Sequence, residues 1–343
     1  MRAMTGYERD QRFIVGHYQP ATLIDLALSR GLDSHRLLRG CEVFYEDIRR
    51  GSARLSPEQF LRLIDNTQRL LDADDSSFLF GQSLLPGHFG DASQTLLHAR
   101  DLFQALEQLC EFQALLSPLL APRLLVDAQQ IHLYWLDSCG AGSALPFLSE
   151  TCLTAVVAMA RKMGGERLPW KIQCAYPQPR HIEQYWVHLG DDIRFEAQVT
   201  LLSLPREYAH RPWPTAATTA GHVAREACSE QLRQLGWQSS FLDRLYDHLH
   251  EHIRQPLNLE RVAAAFAMSP ASLKRKLHRH GTHFQQQLDL VRRHVALYLY
   301  QVKGYTNDEV CSYLGFSDTT NFRRSFKRWT GLTPSALAQW FGR

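Results

Sequence analysis

Disulfide and zinc frameworks are the first things this chain lacks. Its seven cysteines, Cys41, Cys110, Cys139, Cys152, Cys174, Cys228 and Cys311, are odd in number, scattered, and never form a CxxC pair. That spacing excludes a disulfide scaffold and a zinc ribbon and fits a reducing compartment. No apolar run approaches about 18 residues, the length a membrane span requires. The opening MRAMTGYERDQRF has no apolar core of the kind an export signal carries. Neither membrane insertion nor export is expected. Catalytic fingerprints are also missing. There is no GxSxG, GxGxxG, HExxH or phosphate-binding GxxxxGK loop. A strong excess of either charge is missing too, the formal net charge being +3.

The near-neutral total conceals an asymmetry. Residues 239–343 hold fifteen Lys/Arg against eight Asp/Glu, a net +7, which leaves −4 for the preceding residues. A basic final third beside an acidic body points to one module that meets a polyanion and another that does not. At 343 residues the chain is long enough for two or three domains.

The most informative stretch is 309–334, EVCSYLGFSDTTNFRRSFKRWTGLTP. Val310, Tyr313 and Leu314 share one face of a short helix, and Gly315 stops it. Asp318 is placed to cap a second helix, in which Phe322, Phe326 and Trp329 fall on one face. Its other face carries Thr319, Thr320, Asn321, Arg323, Arg324 and Lys327. A short helix, a glycine turn and a basic second helix describe a helix-turn-helix, whose second helix fits the DNA major groove. A similar pattern precedes it. In NLERVAAAFAMSPASLKRKLHRHG, residues 259–266 predict one short helix and 271–280 another, with Ser269-Pro270 as cap and start. Leu288, Val291, Val295 and Leu299 define a joining helix over 284–302, about 28 Å long at 1.5 Å per residue. That length suits two readers held near one DNA turn apart, about 34 Å. Thr306 and Glu309 form the expected capping box of the second unit.

The segment LGFSDTTNFRRSFKRWTGLTP resembles the hallmark of the AraC/XylS-type bacterial transcription regulators. Cys311 stands where that family usually has Ala. The resemblance implies that Ala271, Ser272, Lys274, Arg275, Thr320, Asn321, Arg323 and Arg324 occupy base-reading positions. Relatives often carry a larger reader at the position of Ala271. Chemistry adds that Arg275 and Arg324 suit guanine O6/N7 and Asn321 suits adenine. Lys274, Arg279, Arg323, Lys327 and Arg328 suit phosphates.

The first two hundred residues mix helices with a few strands and show no βαβ rhythm. Strands are expected at 123–126, 131–136, 170–176, 193–195 and 199–204. A long apolar helix is expected over 146–163, and the first dozen residues read as a loose tail. Less sharply, GHFG at 87–90, PQPRH at 177–181 with Tyr185, and GDDIRFEA at 190–197 resemble the sensor domain of the ornithine-utilisation and VirS-like subgroup, a domain often labelled arabinose-binding-like. Tyr134, Trp170, Tyr176 and Tyr185, with Arg180 or His181 as polar anchor, are the candidate effector-pocket residues; ordinary core aromatics are the competing reading. His248 and His252 share a helix face but lack a third ligand, so neither a metal nor a cofactor is expected.

The expectation is an α+β N-terminal sensor domain followed by an all-α double helix-turn-helix DNA-binding domain. The divisions are 1–205 for the sensor, 206–238 for a linker and possible dimerisation helix, and 239–343 for the DNA-binding domain. The apolar stripe His222, Val223, Ala227, Cys228, Leu232 and Leu235 would seat on its own domain or pair with a second protomer. The resemblance implies double-stranded promoter DNA as partner, a small-molecule effector, RNA polymerase if the chain activates, a possible homodimer, and a bacterial cytoplasmic location on the nucleoid. Two other readings stay open. One is a DNA-binding enzyme such as a cysteine-dependent repair methyltransferase, and the other is a ligand-independent DNA-binding protein.

Overall fold

A computed structural model describes residues 6–334. The chain divides into two compact units, Gly6–Phe241 and a second from Leu242 on.

In the first unit the order is β1 (Ile14–Val15), α1 (Gln19–Ser29), α2 (Ser34–Leu37), α3 (Tyr45–Arg49), β2 (Arg54–Leu55), α4 (Pro57–Leu71), α5 (Ser76–Leu84), α6 (Asp91–Leu97), α7 (Leu102–Glu111) and α8 (Gln113–Leu116). Then come β3 (Leu120–Val126), β4 (Gln130–Asp137), α9 (Leu145–Gly164), β5 (Lys171–Gln173), α10 (Ile182–His188), β6 (Ile193–Arg194), β7 (Leu201–Pro205), α11 (Arg206–Ala209) and α12 (Thr218–Leu235). The helix starts are chemically marked. Ser56 and Gln59 form a capping box ahead of Pro57, and the Asp101 carboxylate accepts from the Gln104 amide.

Five strands form one sheet in the order β3-β4-β7-β5-β6, and β1 pairs separately with β2. The β3–β4 hairpin runs antiparallel from Leu120 opposite Asp137 to Val126 opposite Ile131. Its turn is closed by Asp127, which accepts from the Gln129 and Gln130 amides at 2.8 and 2.7 Å. The β5–β6 pair is parallel and the other pairs in the sheet are antiparallel. This is the α+β class that the mixed pattern indicates.

The structure changes several expectations. The stretch Gly142–Gly164 is long and apolar enough to cross a membrane, with mean hydropathy 1.5, and 67% of it is buried within the unit. It is a core helix, packed chiefly against α5. The helix itself is the one expected over 146–163; its length as an apolar stretch is masked in the sequence by Glu150, Arg161 and Lys162, which interrupt the run of apolar letters. The opening segment is no loose tail from Tyr7 onward. Tyr7 is 1% exposed, and its amide donates to Ser239 O at 3.1 Å while its carbonyl accepts from Phe241 N at 2.9 Å.

The stretch read as a linker belongs to this unit as well. Trp213 is buried and its amide donates to Arg100 O at 2.8 Å. Helix α12 packs on α6 through Ala224, Cys228 and Leu232. His222 and Val223, assigned to the apolar stripe, remain exposed. Arg225 pairs with Glu111 at 3.1 Å, and Gln231 donates to Asp91 at 3.2 Å. Those polar contacts turn the helix so that the buried row runs at strict i, i+4 spacing.

The second unit contains α13 (Phe241–Glu251), α14 (Leu259–Ala265), α15 (Pro270–Arg279), α16 (Phe284–Gln301), α17 (Asn307–Tyr313) and α18 (Thr319–Thr330). No strand occurs among its described residues.

Candidate nucleic-acid interface

Each half of the second unit is a short helix, a tight turn and a basic helix. In the first half the Asn258 side chain caps α14 by accepting from Arg261 N. Ser269 caps α15 by accepting from Ser272 N, and Pro270 opens that helix. In the second half Thr306 and Glu309 form a capping box on α17, and Asp318 caps α18 by accepting from Asn321 N. The turn between α17 and α18 passes through Gly315 at φ +71, a left-handed conformation that costs a side-chain-bearing residue roughly 1–2 kcal/mol. The matching turn in the first half uses Ala267 at φ +53.

Inward faces fix the outward ones. Leu273 and Leu277 bury one side of α15, while Phe322, Phe326 and Trp329 bury one side of α18. Phe316 joins that aromatic cluster, with ring centroids 5.5 Å from Phe322 and 5.7 Å from Trp329. The opposite faces then present Ala271, Lys274, Arg275 and Arg279 on α15, and Thr320, Asn321, Arg323, Arg324 and Lys327 on α18, all exposed. Among the described residues Lys274, Arg275, Arg324 and Lys327 make no ion pair, so their charge is open to an anion.

Two candidates are otherwise engaged. Ser272 is half-buried, and its hydroxyl accepts from Ser269 Oγ at 2.9 Å as part of the α15 cap. Arg328 reaches Asp289 of α16 at 3.3 Å and ties α18 to the joining helix.

Sequence reasoning missed the residues that hold the two halves to α16. Arg292 lies over Phe316 and Trp329, at 5.5 and 6.0 Å from the ring centroids, and burial lowers its pKa. Tyr300 packs edge-on against Phe326 and donates to Asn307 at 2.8 Å. His294 bonds the Tyr246 hydroxyl at 2.9 Å; burial, with help from the Arg293 charge, pushes it down to about 3. Away from α16, Arg254, just after α13, lies over the Tyr313 ring of α17 at 5.1 Å.

In the first unit three of the six candidate effector residues meet around a carboxylate that the sequence reading did not name. Glu150, 6% exposed, accepts from the Ser77 and Tyr185 hydroxyls, each at 2.6 Å, and bonds His181 Nε2 at 3.1 Å. The Tyr176 and Tyr185 hydroxyls are 3.1 Å apart. Burial first, then the Glu150 charge, raises the Tyr185 pKa, so it stays a neutral donor. This is a satisfied polar knot rather than an open pocket. A lone acidic residue inside a long apolar helix was the available signal. Trp170 is buried in the core and Tyr134 lies on β4 facing Arg123 of β3. None of the six lines either cavity described in this unit, one of about 50 Å³ and one of about 370 Å³.

Comparison with known proteins adds two family matches. Residues 31–213 match the arabinose-binding domain of AraC transcription regulators, N-terminal, and residues 262–339 match a helix-turn-helix domain. The ornithine utilization regulator of Pseudomonas aeruginosa is 29% identical over 314 residues, 91% of this chain and 93% of that protein. The regulator VqsM of the same organism is 26% identical over 149 residues, 42% of this chain and 43% of that one. The crystal structure of the P. aeruginosa transcriptional regulator CdpR aligns over 94% of this chain and 98% of its own, at 18% identity and a TM-score of 0.45.

Proposed function

The chain belongs to the AraC family of transcription regulators, and from that premise we propose that it is a sequence-specific DNA-binding regulator whose promoter occupancy is set by a small molecule held in the first unit. In this reading α15 and α18 enter successive major grooves on one face of the duplex. The observation that carries it is the pair of exposed, uncompensated arginines, Arg275 and Arg324, each on a capped helix whose other face is buried.

Arg275, Arg324 and Asn321 take base edges. Lys274, Arg323, Lys327 and Arg279 hold phosphate oxygens and set register. Arg328 braces α18 on the joining helix through Asp289. Ala271 offers only a methyl group, so the first reader discriminates fewer bases. The effector acts only as far as its affinity differs between two states of the protein. As an activator the chain would also meet RNA polymerase.

A thiol-dependent DNA enzyme is the weaker reading. Burial raises Cys41 to about 11, and Cys110, Cys152, Cys174 and Cys228 each to about 12, far from a thiolate at neutral pH.

The experiment is selection of bound duplexes from a random library, followed by gel-shift titration at two salt concentrations. The regulator reading expects one enriched two-part motif with steeply salt-dependent affinity. Enrichment of no sequence would overturn it.

A further inference from the structure

The larger cavity of the first unit is built from both ends of that unit's chain. Its volume, about 370 Å³, falls within the range of about 300–1,000 Å³ typical of ligand clefts. The smaller cavity, about 50 Å³, has room for only a few waters at roughly 10–15 Å³ each. Phe13, Ile14, Phe89 and Leu115 give the larger one an apolar wall, and Gln231, Gln234 and Leu235 from the last turns of α12 close another side.

One cation lies in its lining. Arg54 donates only to the carbonyls of Gly51 and Ala53, at 3.4 and 3.1 Å, and among the described residues it has no carboxylate partner. The Tyr18 hydroxyl lies near it. Burial and Asp91 raise its pKa while Arg54 lowers it, so at neutral pH it is a protonated donor beside the guanidinium. Asp91, the acidic group facing this region, is already bonded by Gln231.

The cavity wall is also the clamp on the strand of chain that leads out of the unit. Phe13 packs tilted against Tyr7, with ring centroids 4.5 Å apart, and meets Trp237 edge-on at 6.2 Å. The Tyr7 hydroxyl donates to the carbonyl of Pro118, another lining residue, at 2.7 Å. Tyr7 in turn holds Ser239 and Phe241 by backbone hydrogen bonds. The approach is close enough that a Cβ on Gly6 would lie 2.5 Å from the Ser240 carbonyl carbon. Phe13 and Pro118 therefore line the cavity and also contact the Tyr7 and Trp237 clamp, and Leu235, on another side, lies two residues before Trp237 in the chain.

We propose that this cavity is the effector site, that it takes a small organic monoanion with an apolar body and a carboxylate head paired with Arg54, and that occupancy is relayed through Phe13 and Leu235 to residues 237–241. The proposal rests on the ligand-responsive reading above and gives it a place and a ligand class. An apolar body matches the aromatic and aliphatic wall, and a single negative charge matches the single open cation. Tight contact with the clamp makes the bound and free paths of 237–241 differ in energy, which is what a ligand needs to shift an equilibrium.

The test uses the full chain with phenylacetate, benzoate, isovalerate and octanoate, each beside its own uncharged primary amide. Melting temperature and equilibrium dialysis read binding, and hydrogen exchange reads the Tyr7 and Phe241 amides. At least one carboxylate should raise the melting point saturably, and its amide should bind about tenfold more weakly or worse. Arg54→Gln, at an exposed position, should erase that difference while leaving the amide within about twofold. Leu235→Trp should fill the space and abolish both. Exchange at Tyr7 and Phe241 should slow on binding. The proposal is overturned if no member of the panel binds, if Arg54→Gln leaves the preference intact, or if binding leaves those two amides unchanged. Duplex binding by the unliganded chain, scored separately, tells failure of this site from failure of the regulator reading.

Discussion

The two helix-turn-helix halves share a plan and differ in how it is built. The first half has a mainly aliphatic interior of Val262, Ala263, Leu273 and Leu277, with Phe266 as its buried phenyl ring. The second has an aromatic one, in which Phe316, Phe322, Phe326 and Trp329 lie within 6.5 Å of one another by ring centroid wherever they are paired, under the Arg292 guanidinium. The first half turns on a strained alanine, the second on a glycine suited to its φ. Helix α15 exposes Ala271 and commits Ser272 to a cap, whereas α18 exposes Thr320 and Asn321. The difference teaches that similar topology does not imply equal duty. Helix α18 has the more aromatic packing and the more open polar face, so under the proposed function it should carry more of the sequence discrimination.

The comparison can be broken most forcefully through the interiors. Phe326→Ala should cost about 3–5 kcal/mol and disorder α18, with Leu277→Ala at the lower end of about 2–5 kcal/mol in the first half. Urea melts of the two variants check the ranking, and equal losses would remove the packing contrast.

Acid is the next lever, because it acts on the joining helix that both halves share. His294 has a folded pKa of about 3 against an ordinary 6.5. Between those values the unfolded chain binds the proton and the folded chain does not, so stability falls as pH falls through that window. The contribution has a slope of about 1.4 kcal/mol per pH unit. His294→Gln should flatten the pH dependence of the melting temperature below pH 6.5 relative to the parent; an unchanged slope would sever His294 from the account.

Contacts with bases come next. Arg324→Ala and Arg275→Ala should each lose about 1–3 kcal/mol of site-specific binding. The asymmetry predicts a larger loss of base preference for Arg324, read by repeating the duplex selection with each variant.

The turns give smaller effects. Gly315→Ala should destabilise by about 1 kcal/mol, while Ala267→Gly should stabilise by up to about 1 kcal/mol. Opposite signs in a thermal melt support the strained-turn contrast. Smallest of all, Arg328→Ala should change stability by less than about 1 kcal/mol, since its pair with Asp289 is largely exposed on the arginine side.

Local chemistry made the fold class and the short-helix, turn, basic-helix pairs of the second unit legible. Caps at Ser269, Thr306 and Asp318, glycine at 315 and apolar rows at helical spacing all act within a few residues, where a sequence pattern can display them. What stayed hidden depends on distant partners. The Tyr7–Ser240 bridge joins residues at opposite ends of the first unit, and nothing in either segment announces the other. The aromatic residues near 176–185 form a recognisable group in the sequence, but the Glu150 carboxylate that gathers Tyr176, His181 and Tyr185 lies some thirty residues upstream in a mostly apolar helix, with no local pattern to link the two. The orientation of α12 also escaped, because pairs with Glu111 and Asp91 turn it onto Ala224 and leave Val223 outside.

The central claim is that α15 and α18 read neighbouring major grooves of one duplex. It is tested most directly by selecting binding sites for the parent, Arg275→Ala and Arg324→Ala chains and mapping where each loses base preference. The account predicts losses at two separate positions about one helical turn apart, roughly 10–10.5 base pairs. Losses at the same base pairs, or none for either variant, would contradict it.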